Sequence, residues 1–182
     1  DAGISVHFFT GNHDLWTFGY LEKEIGLKVH RQPKQFELQG KKCFIGHGDG
    51  LGPSDTGYKL LKILFTSSIC QWLFSRLHPN ASYTIANYFS SKSRISNITI
   101  DERFQAEENE WLVHYSKQIL KSEHYDYFIF GHRHLPLDIK LSEKSKYINL
   151  GEWVTYNSFA VLEEGKLDLK FYDSKFTKAA NK

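Results

Sequence analysis

One arrangement recurs three times in this 182-residue chain: a short apolar segment, then a glycine, then histidine or asparagine. The apolar segments are residues 5–10, 42–45 and 127–130, and their β-branched and aromatic composition predicts strands. The clusters that follow them are Gly11-Asn12-His13-Asp14, Gly46-His47-Gly48-Asp49 and Gly131-His132-Arg133-His134. Ligands in α/β proteins gather where adjacent strands end. The recurrence therefore predicts an active-site rim built from three distant parts of the chain.

The third cluster places His132 and His134 one residue apart. Residues i and i+2 of an extended backbone point to the same side, so we expect the two imidazoles to converge. Taken alone, such a pair is more typical of structural loop histidines than of metal ligands. Asn12 and His47 at the ends of other strands favour metal ligation instead. These donors suit Mn, Fe, Zn or Co better than Ca or Cu(I).

Two aspartates follow the candidate ligands in their motifs. We expect Asp14 to orient His13, and Asp49 either to shape its loop or to orient His47. Two divalent ions about 3.5–4 Å apart are the usual arrangement for splitting a phosphate ester. Such a pair requires a bridging carboxylate, and the sequence offers no obvious one.

Residues 51–100 differ from the rest of the chain in being apolar, aromatic and basic. Helices are predicted over residues 58–77 and 83–91, separated by Pro79-Asn80. The only acid in this stretch is Asp55, and its bases are Lys59, Lys62, Arg76, Lys92 and Arg94. The pattern indicates either a lid or membrane-facing surface, or an internal helical layer.

The remaining segments complete a mixed architecture within one domain, residues 1–182. Further predicted elements are a short helix at 15–25, an edge strand within 28–38, an amphipathic helix at 107–121, and strands at 137–141, 147–150, 158–162 and 166–172. The turn at Gly165 predicts that the last two strands form a hairpin. A net charge of +2 argues against nucleic acid as a partner. The distant Cys43 and Cys70 indicate free thiols in a reducing compartment.

Together, the three clusters resemble signature motifs of the calcineurin-like metallophosphoesterases, in that family's order and each after a strand. The resemblance implies an α/β (α+β) fold, a two-sheet sandwich flanked by helices with two metals at the sheet ends. It implies that Asn12, His47 and His132 hold one metal and His134 the other. His13, with Asp14 beside it, would then be the catalytic cation that stabilises phosphoryl charge. Mn is the expected metal, with Zn, Fe or Co as alternatives.

Within that superfamily, Gly48-Asp49-Gly50 followed by Asp55 and Tyr58 resembles the UDP-2,3-diacylglucosamine diphosphatases of lipid A synthesis. The resemblance implies a helical lid insertion over residues 51–105 that holds acyl chains. Substrate contacts are expected from Asp55, Tyr58, Lys92 and Arg94. The expected reaction is cleavage of the pyrophosphate of this phosphorylated glycolipid. The expected location is cytoplasmic, peripheral at the inner membrane. His13 stands where well-known members carry Arg, so substrate identity stays open.

Two motifs of the superfamily, Asp-x-His and Gly-Asp-x-x-Asp, normally precede the first cluster by tens of residues and supply the bridging Asp. Here only residues 1–10 precede it. Either the N-terminal part is missing or the chain is a degenerate member, and the intact later motifs favour truncation. We therefore expect weak binding of the second metal, and with it weak or no activity of this fragment. The alternatives are a phosphodiesterase or phosphatase with a soluble substrate, and a non-catalytic scaffold that binds through residues 51–100.

Overall fold

The computed structural model describes residues 3–52, 56–88 and 110–172. Its strands are β1 His7–Phe9, β2 Lys28–His30, β3 Lys34–Leu38, β4 Lys41–Ile45, β5 Tyr127–Phe130, β6 Pro136–Ser142, β7 Ser145–Leu150, β8 Ser158–Glu163 and β9 Lys166–Phe171. Its helices are α1 Tyr20–Glu24, α2 Thr56–Thr66, α3 Ser68–Ser75, α4 over residues 79–88, and α5 Trp111–Leu120. This mixture confirms the α/β class.

A five-stranded sheet in the order β3-β4-β5-β7-β6 forms the centre of the molecule. Strands β4, β5 and β7 run parallel, and β3 and β6 are antiparallel edge strands. The edge position of β3 was predicted from the proline just before it. Two backbone bonds continue the pairing past the strand ends, from Gly46 N to Ile129 O and from Gly131 N to His47 O. The second and third clusters therefore leave the sheet side by side.

The central strands are buried on both faces, which explains their uninterrupted apolar sequences. On one face, Phe128 and Phe130 pack against Leu112 and Val113 of α5. On the other, Ile129 packs with Ile148 and with Leu167 of β9. The molecule is therefore layered, with a helix on one side of the sheet and the β8–β9 hairpin on the other. The hairpin itself, with Glu163 opposite Lys166, was predicted correctly. The full metallophosphoesterase sandwich stays a prediction.

The strand before the first cluster lies in a different sheet from the other two. In the described part of the chain, β1 pairs in parallel with β2, with His7 opposite Lys28. The predicted adjacency of all three strands is therefore right for β4 and β5 and wrong for β1. Strand β1 approaches the central sheet through side chains instead, since Phe9 and His7 both contact the Phe36 ring of β3.

The predicted helix over 58–77 is two helices. The break falls at Ser67, whose hydroxyl accepts a bond from Cys70 N, the capping role for which serine is favoured. The helix predicted at 15–25 is shorter in the structure, where only α1 is helical. It begins after Gly19, whose backbone is left-handed with φ 77°. None of the described helices is long and apolar enough to cross a membrane. Cys43 and Cys70 are both free thiols. The single domain and the 51–105 lid stay predictions.

Candidate active site

The loops that follow β4 and β5 bring two of the predicted ligands together. The ring centroids of His47 and His132 are 5.2 Å apart in an edge-to-face arrangement. The Trp111 ring, at the start of α5, lies 6.0 Å from the His132 ring. The two rings are close because β4 and β5 pair in parallel, so that both loops start at the same edge of the sheet. One strand pairing thus brings together two histidines that are 85 residues apart in the sequence.

The first cluster reaches the same place through Gly11. A β-carbon built on Gly11 would lie only 2.5 Å from His47 Nε2, so the glycine backbone packs directly against the imidazole. Any side chain at this position would push the ring away. Asn12 is therefore held next to His47 by the chain itself. The structure brings the Asn12 backbone, His47 and His132 into one neighbourhood.

The backbone of the third cluster is not extended. His132 and His134 adopt left-handed conformations, with φ of 66° and 53°. The extended H-x-H prediction is therefore wrong, because a turn closed by a bond from Arg133 N to Gly131 O replaces it. His134 is exposed. Over residues 3–52, 56–88 and 110–172, no group of three or more His, Cys, Asp or Glu could hold a metal ion, so His134 does not complete a three-residue cluster with His47 and His132.

Between the two histidines, Arg133 points into the protein. Its guanidinium donates two bonds of 2.9 Å to the Glu110 carboxylate, and both side chains are almost completely buried. Such a two-pronged pair is strong and geometrically specific. It ties the start of α5 to the turn that carries His132. The sequence analysis missed both partners, and the only signal was a charged residue between two candidate ligands.

Asp49 is the most connected acid of the site. Its Oδ1 lies 2.8 Å from His47 Nδ1, and its Oδ2 accepts bonds from Tyr58 OH at 2.6 Å and Lys62 Nζ at 2.7 Å. Burial alone would raise the pKa of Asp49, but its bonds with His47, Lys62 and Tyr58 outweigh burial and hold this pKa well below its ordinary value. The expected contact between Asp49 and His47 is confirmed. An ionised carboxylate only accepts, so the proton of this bond lies on His47 Nδ1.

The donor chemistry fits one divalent cation. A histidine whose Nδ1–H is held by a carboxylate presents Nε2 as a lone-pair donor, the usual arrangement of metal-binding histidines. His47 has this arrangement and His132 stands beside it, while Asn12 follows Gly11, whose backbone packs on the His47 ring. The cleft next to His47 is lined on other sides by the cationic Arg31 and Lys62, which suits an anionic substrate. For a second cation, His134 is the candidate among the predicted ligands.

The other predicted site residues fall into two groups. His13 and Asp14 are exposed on the turn after β1, where Asp14 N bonds to Gly11 O at 3.2 Å. Tyr58 belongs to the Asp49 network described above. The remaining predicted substrate contacts lie outside the described residues; they are Asp55, Lys92 and Arg94.

Two contacts escaped the sequence analysis. The first is between two histidines, since His7 Nδ1 lies 2.8 Å from His30 Nε2 and their rings stack. Burial, followed by the charge of Lys34, lowers the pKa of His30. Only the parallel pairing of β1 with β2 brings these histidines together. Lys62 was also missed, although its position one helical turn after Tyr58 was a usable signal.

Comparison with known proteins identifies the family. No family model matches the chain. A Porphyromonas gingivalis protein named UDP-2,3-diacylglucosamine hydrolase is 35% identical over 183 residues, covering 93% of this chain and 70% of that protein. Proteins of the same name from Photorhabdus laumondii and Aeromonas salmonicida are 29% and 28% identical, each over 92% of this chain and over 69% and 66% of their own lengths. The similarity to the first protein thus covers nearly all of this chain. The chain belongs to the UDP-2,3-diacylglucosamine hydrolase family.

Proposed function

We propose that this protein is a hydrolase that cleaves the pyrophosphate of UDP-2,3-diacylglucosamine in lipid A synthesis. The observation that carries the proposal is the 35% identity, over 93% of the chain, to a relative named for hydrolysis of this compound. The convergence of Gly11, His47 and His132 supports it independently, because a phosphate-ester site needs ligands from separate loops. Hydrolysis of a pyrophosphate adds one water and leaves one phosphate on each product.

We further propose that Asn12, His47 and His132 hold one divalent cation and that His134 contributes to a second, with Mn²⁺ the first choice. When bound, such cations polarise a phosphoryl oxygen and lower the pKa of water. Asp49 contacts His47 Nδ1, which leaves His47 Nε2, next to Gly11, as the donor nitrogen for the cation. His13, exposed beside the cluster, stabilises phosphoryl charge, and Asp14 orients it. Zn, Fe or Co would suit the same donors.

The acyl chains of the substrate fit the apolar surface of α2 and α3. Leu60, Ile63, Ile69 and Trp72 are each more than half exposed there, an unusual density of free apolar side chains. This exposure supports the roles proposed for residues 51–105 as a lid and for the protein as a peripheral enzyme at the cytoplasmic face of the inner membrane. In the same proposal, Asp55, Tyr58, Lys92 and Arg94 contact the polar part of the glycolipid.

The proposal is tested with the purified full-length protein and UDP-2,3-diacylglucosamine. We expect Mn²⁺-dependent release of two phosphorylated products, abolished by EDTA and restored by Mn²⁺. His47→Ala and His132→Ala should each lower kcat/KM by about 100-fold or more while the circular dichroism spectrum is unchanged, because both lose a cation ligand. His124→Ala, at a surface position before β5, is the matched control and should keep its activity. Full turnover in either ligand variant would contradict the assignment.

The two alternatives predict different substrate panels. An enzyme for a soluble phosphodiester or phosphomonoester would cleave a chromogenic ester with Mn²⁺ and gain nothing from acyl chains. A non-catalytic scaffold would cleave neither substrate with any of the four metals. A preference for the diacylated substrate over its deacylated analogue would exclude both alternatives.

A further inference from the structure

Helix α2 touches the candidate site through one face. Tyr58 and Lys62 are four residues apart, so they project from the same side of the helix. Both side chains end on the same oxygen, Asp49 Oδ2, at 2.6 and 2.7 Å. The other oxygen of that carboxylate is bound to His47. A single buried carboxylate therefore joins α2 to a candidate cation ligand.

Among the three described partners of Asp49, Lys62 is the one that supplies a full positive charge. The Asp49 side chain is 4% exposed and the Lys62 side chain 23% exposed. A buried carboxylate is costly unless it is paired and hydrogen-bonded. Without Lys62, the Asp49 carboxylate would turn toward water or lose its fixed orientation. The side chain that orients His47 is thus itself oriented from α2.

We propose that Lys62 is a positioning residue. It fixes the Asp49 carboxylate, which in turn fixes the His47 ring for cation binding. The position of α2 is thereby coupled to the cation site. This inference rests on the cation site of the proposed function. It adds that a helix with an exposed apolar surface is linked to that site through side-chain contacts. The outward side of α2 carries the exposed Leu60 and Ile63, so one helix joins the surface suited to acyl chains to the candidate ligand.

The test is a double-mutant cycle read out as Mn²⁺ affinity, measured from the electron paramagnetic resonance signal of unbound Mn²⁺. Lys62→Met should weaken Mn²⁺ binding about 10-fold, and Asp49→Asn by about 10- to 100-fold, the usual effect of losing an outer-shell contact. In the double variant the loss should equal that of Asp49→Asn alone, because Lys62 acts through Asp49. Lys62→Arg, which keeps the charge, should recover most of the affinity.

Lys59→Met is the matched control. Lys59 lies on the same helix and its ammonium bonds to the Gly52 carbonyl rather than to Asp49. Its loss should leave Mn²⁺ affinity unchanged. In the active enzyme, Lys62→Met at subsaturating Mn²⁺ should lower kcat and leave the KM for substrate unchanged. If Lys62 instead bound the substrate phosphate, its removal would raise KM.

The possible outcomes separate this inference from the proposed function. Additive losses in the double variant, or an equal loss in Lys59→Met, would overturn the positioning role even in an active enzyme. A wild-type protein that binds Mn²⁺ but cleaves no substrate would overturn the proposed function. The double-mutant cycle would then still test the positioning role of Lys62. A wild-type protein that binds none of Mn²⁺, Zn²⁺, Fe²⁺ and Co²⁺ would overturn both.

Discussion

At the scale of single residues, buried charges hold the loops of the candidate site. Asp49 is paired with Lys62, and Arg133 with Glu110, each on a loop that carries a candidate ligand. Removing one partner of a buried pair typically costs about 3–5 kcal/mol, because the other charge is left unpaired. These pairs therefore specify where the loops lie. His132 has a left-handed backbone conformation, which is locally strained. The neighbouring buried ion pair can hold the backbone in this conformation.

A third acid, Asp126, gives stability a predictable pH dependence. Its carboxylate accepts a 2.8 Å bond from the Lys42 backbone N–H and lies 3.5 Å from Lys41 Nζ, linking β5 to β4. Burial would raise its pKa, but the Lys42 bond and the Lys41 charge lower it below the ordinary 3.8. A lowered folded-state pKa means that the stabilisation is complete above the unfolded-state pKa. It is lost as pH falls through the folded-state pKa.

We therefore expect Asp126→Asn to reduce the free energy of unfolding by about 1–2 kcal/mol at pH 7. The difference from wild type should shrink as the pH is lowered below 3.8. Urea unfolding at pH 7 and at a series of acid pH values measures both effects. Asp138→Asn, which removes a surface ion pair with Lys146, is the control and should change stability by less than about 1 kcal/mol. A deficit independent of pH would contradict the prediction.

At the scale of elements, one tryptophan holds α2 and α3 against the loop after β1. Trp16 Nε1 donates a 2.7 Å bond to Phe65 O near the end of α2, where backbone carbonyls lack helical partners. Its ring also lies 5.0 Å from the Phe74 ring of α3. The first cluster and the apolar helices are thus connected by a side chain that follows the cluster by two residues.

Trp16→Phe should loosen both helices without unfolding the sheet. The variant keeps an aromatic ring but loses the bond to Phe65 O, which is worth about 1 kcal/mol. Amide hydrogen exchange in residues 56–75 should become about 5-fold faster, while exchange in β4 and β5 stays unchanged. Mass spectrometry of peptides from the two regions measures this. Trp153→Phe, at a half-exposed position outside these helices, should have no effect on residues 56–75, and an equal effect would refute the anchoring role.

At the scale of the whole molecule, apolar exposure is concentrated on one set of helices. Ile63 and Ile69 are 68% and 70% exposed, and Trp72 is 56% exposed with the Arg76 guanidinium 4.9 Å from its ring. A large exposed apolar surface with basic residues is typical of a membrane or protein contact. We propose that this surface contacts the membrane that contains the substrate.

Replacing Ile63 and Ile69 together by serine should reduce binding to anionic phospholipid vesicles by about 10-fold or more, because each exposed isoleucine that enters lipid contributes about 1.5–3 kcal/mol. Vesicle flotation measures the bound fraction. Since both side chains are mostly exposed, the fold should remain intact. Val154→Ser, 92% exposed outside these helices, is the control. Unchanged flotation of the double variant would remove the membrane role from this surface.

The sequence by itself determined the local elements and the list of candidate ligands. Short apolar runs rich in β-branched and aromatic residues predicted β4 and β5, and the turn at Gly165 predicted the β8–β9 hairpin. Motif position gave the contact between Asp49 and His47 as one of two expected roles of Asp49. These features depend on residues close together in the chain, so composition and spacing are enough to find them.

Only the tertiary structure decided which distant groups meet. The separation of β1 from the central sheet, the His7–His30 contact, the Arg133–Glu110 pair and the bond from Lys62 to Asp49 all join separate elements. The left-handed turn at His132 likewise depends on the buried ion pair between its neighbour Arg133 and Glu110. Such contacts depend on strand order and on the burial of charge, which a linear pattern does not contain. The candidate ligands could be read from the chain, but the groups that orient them could not.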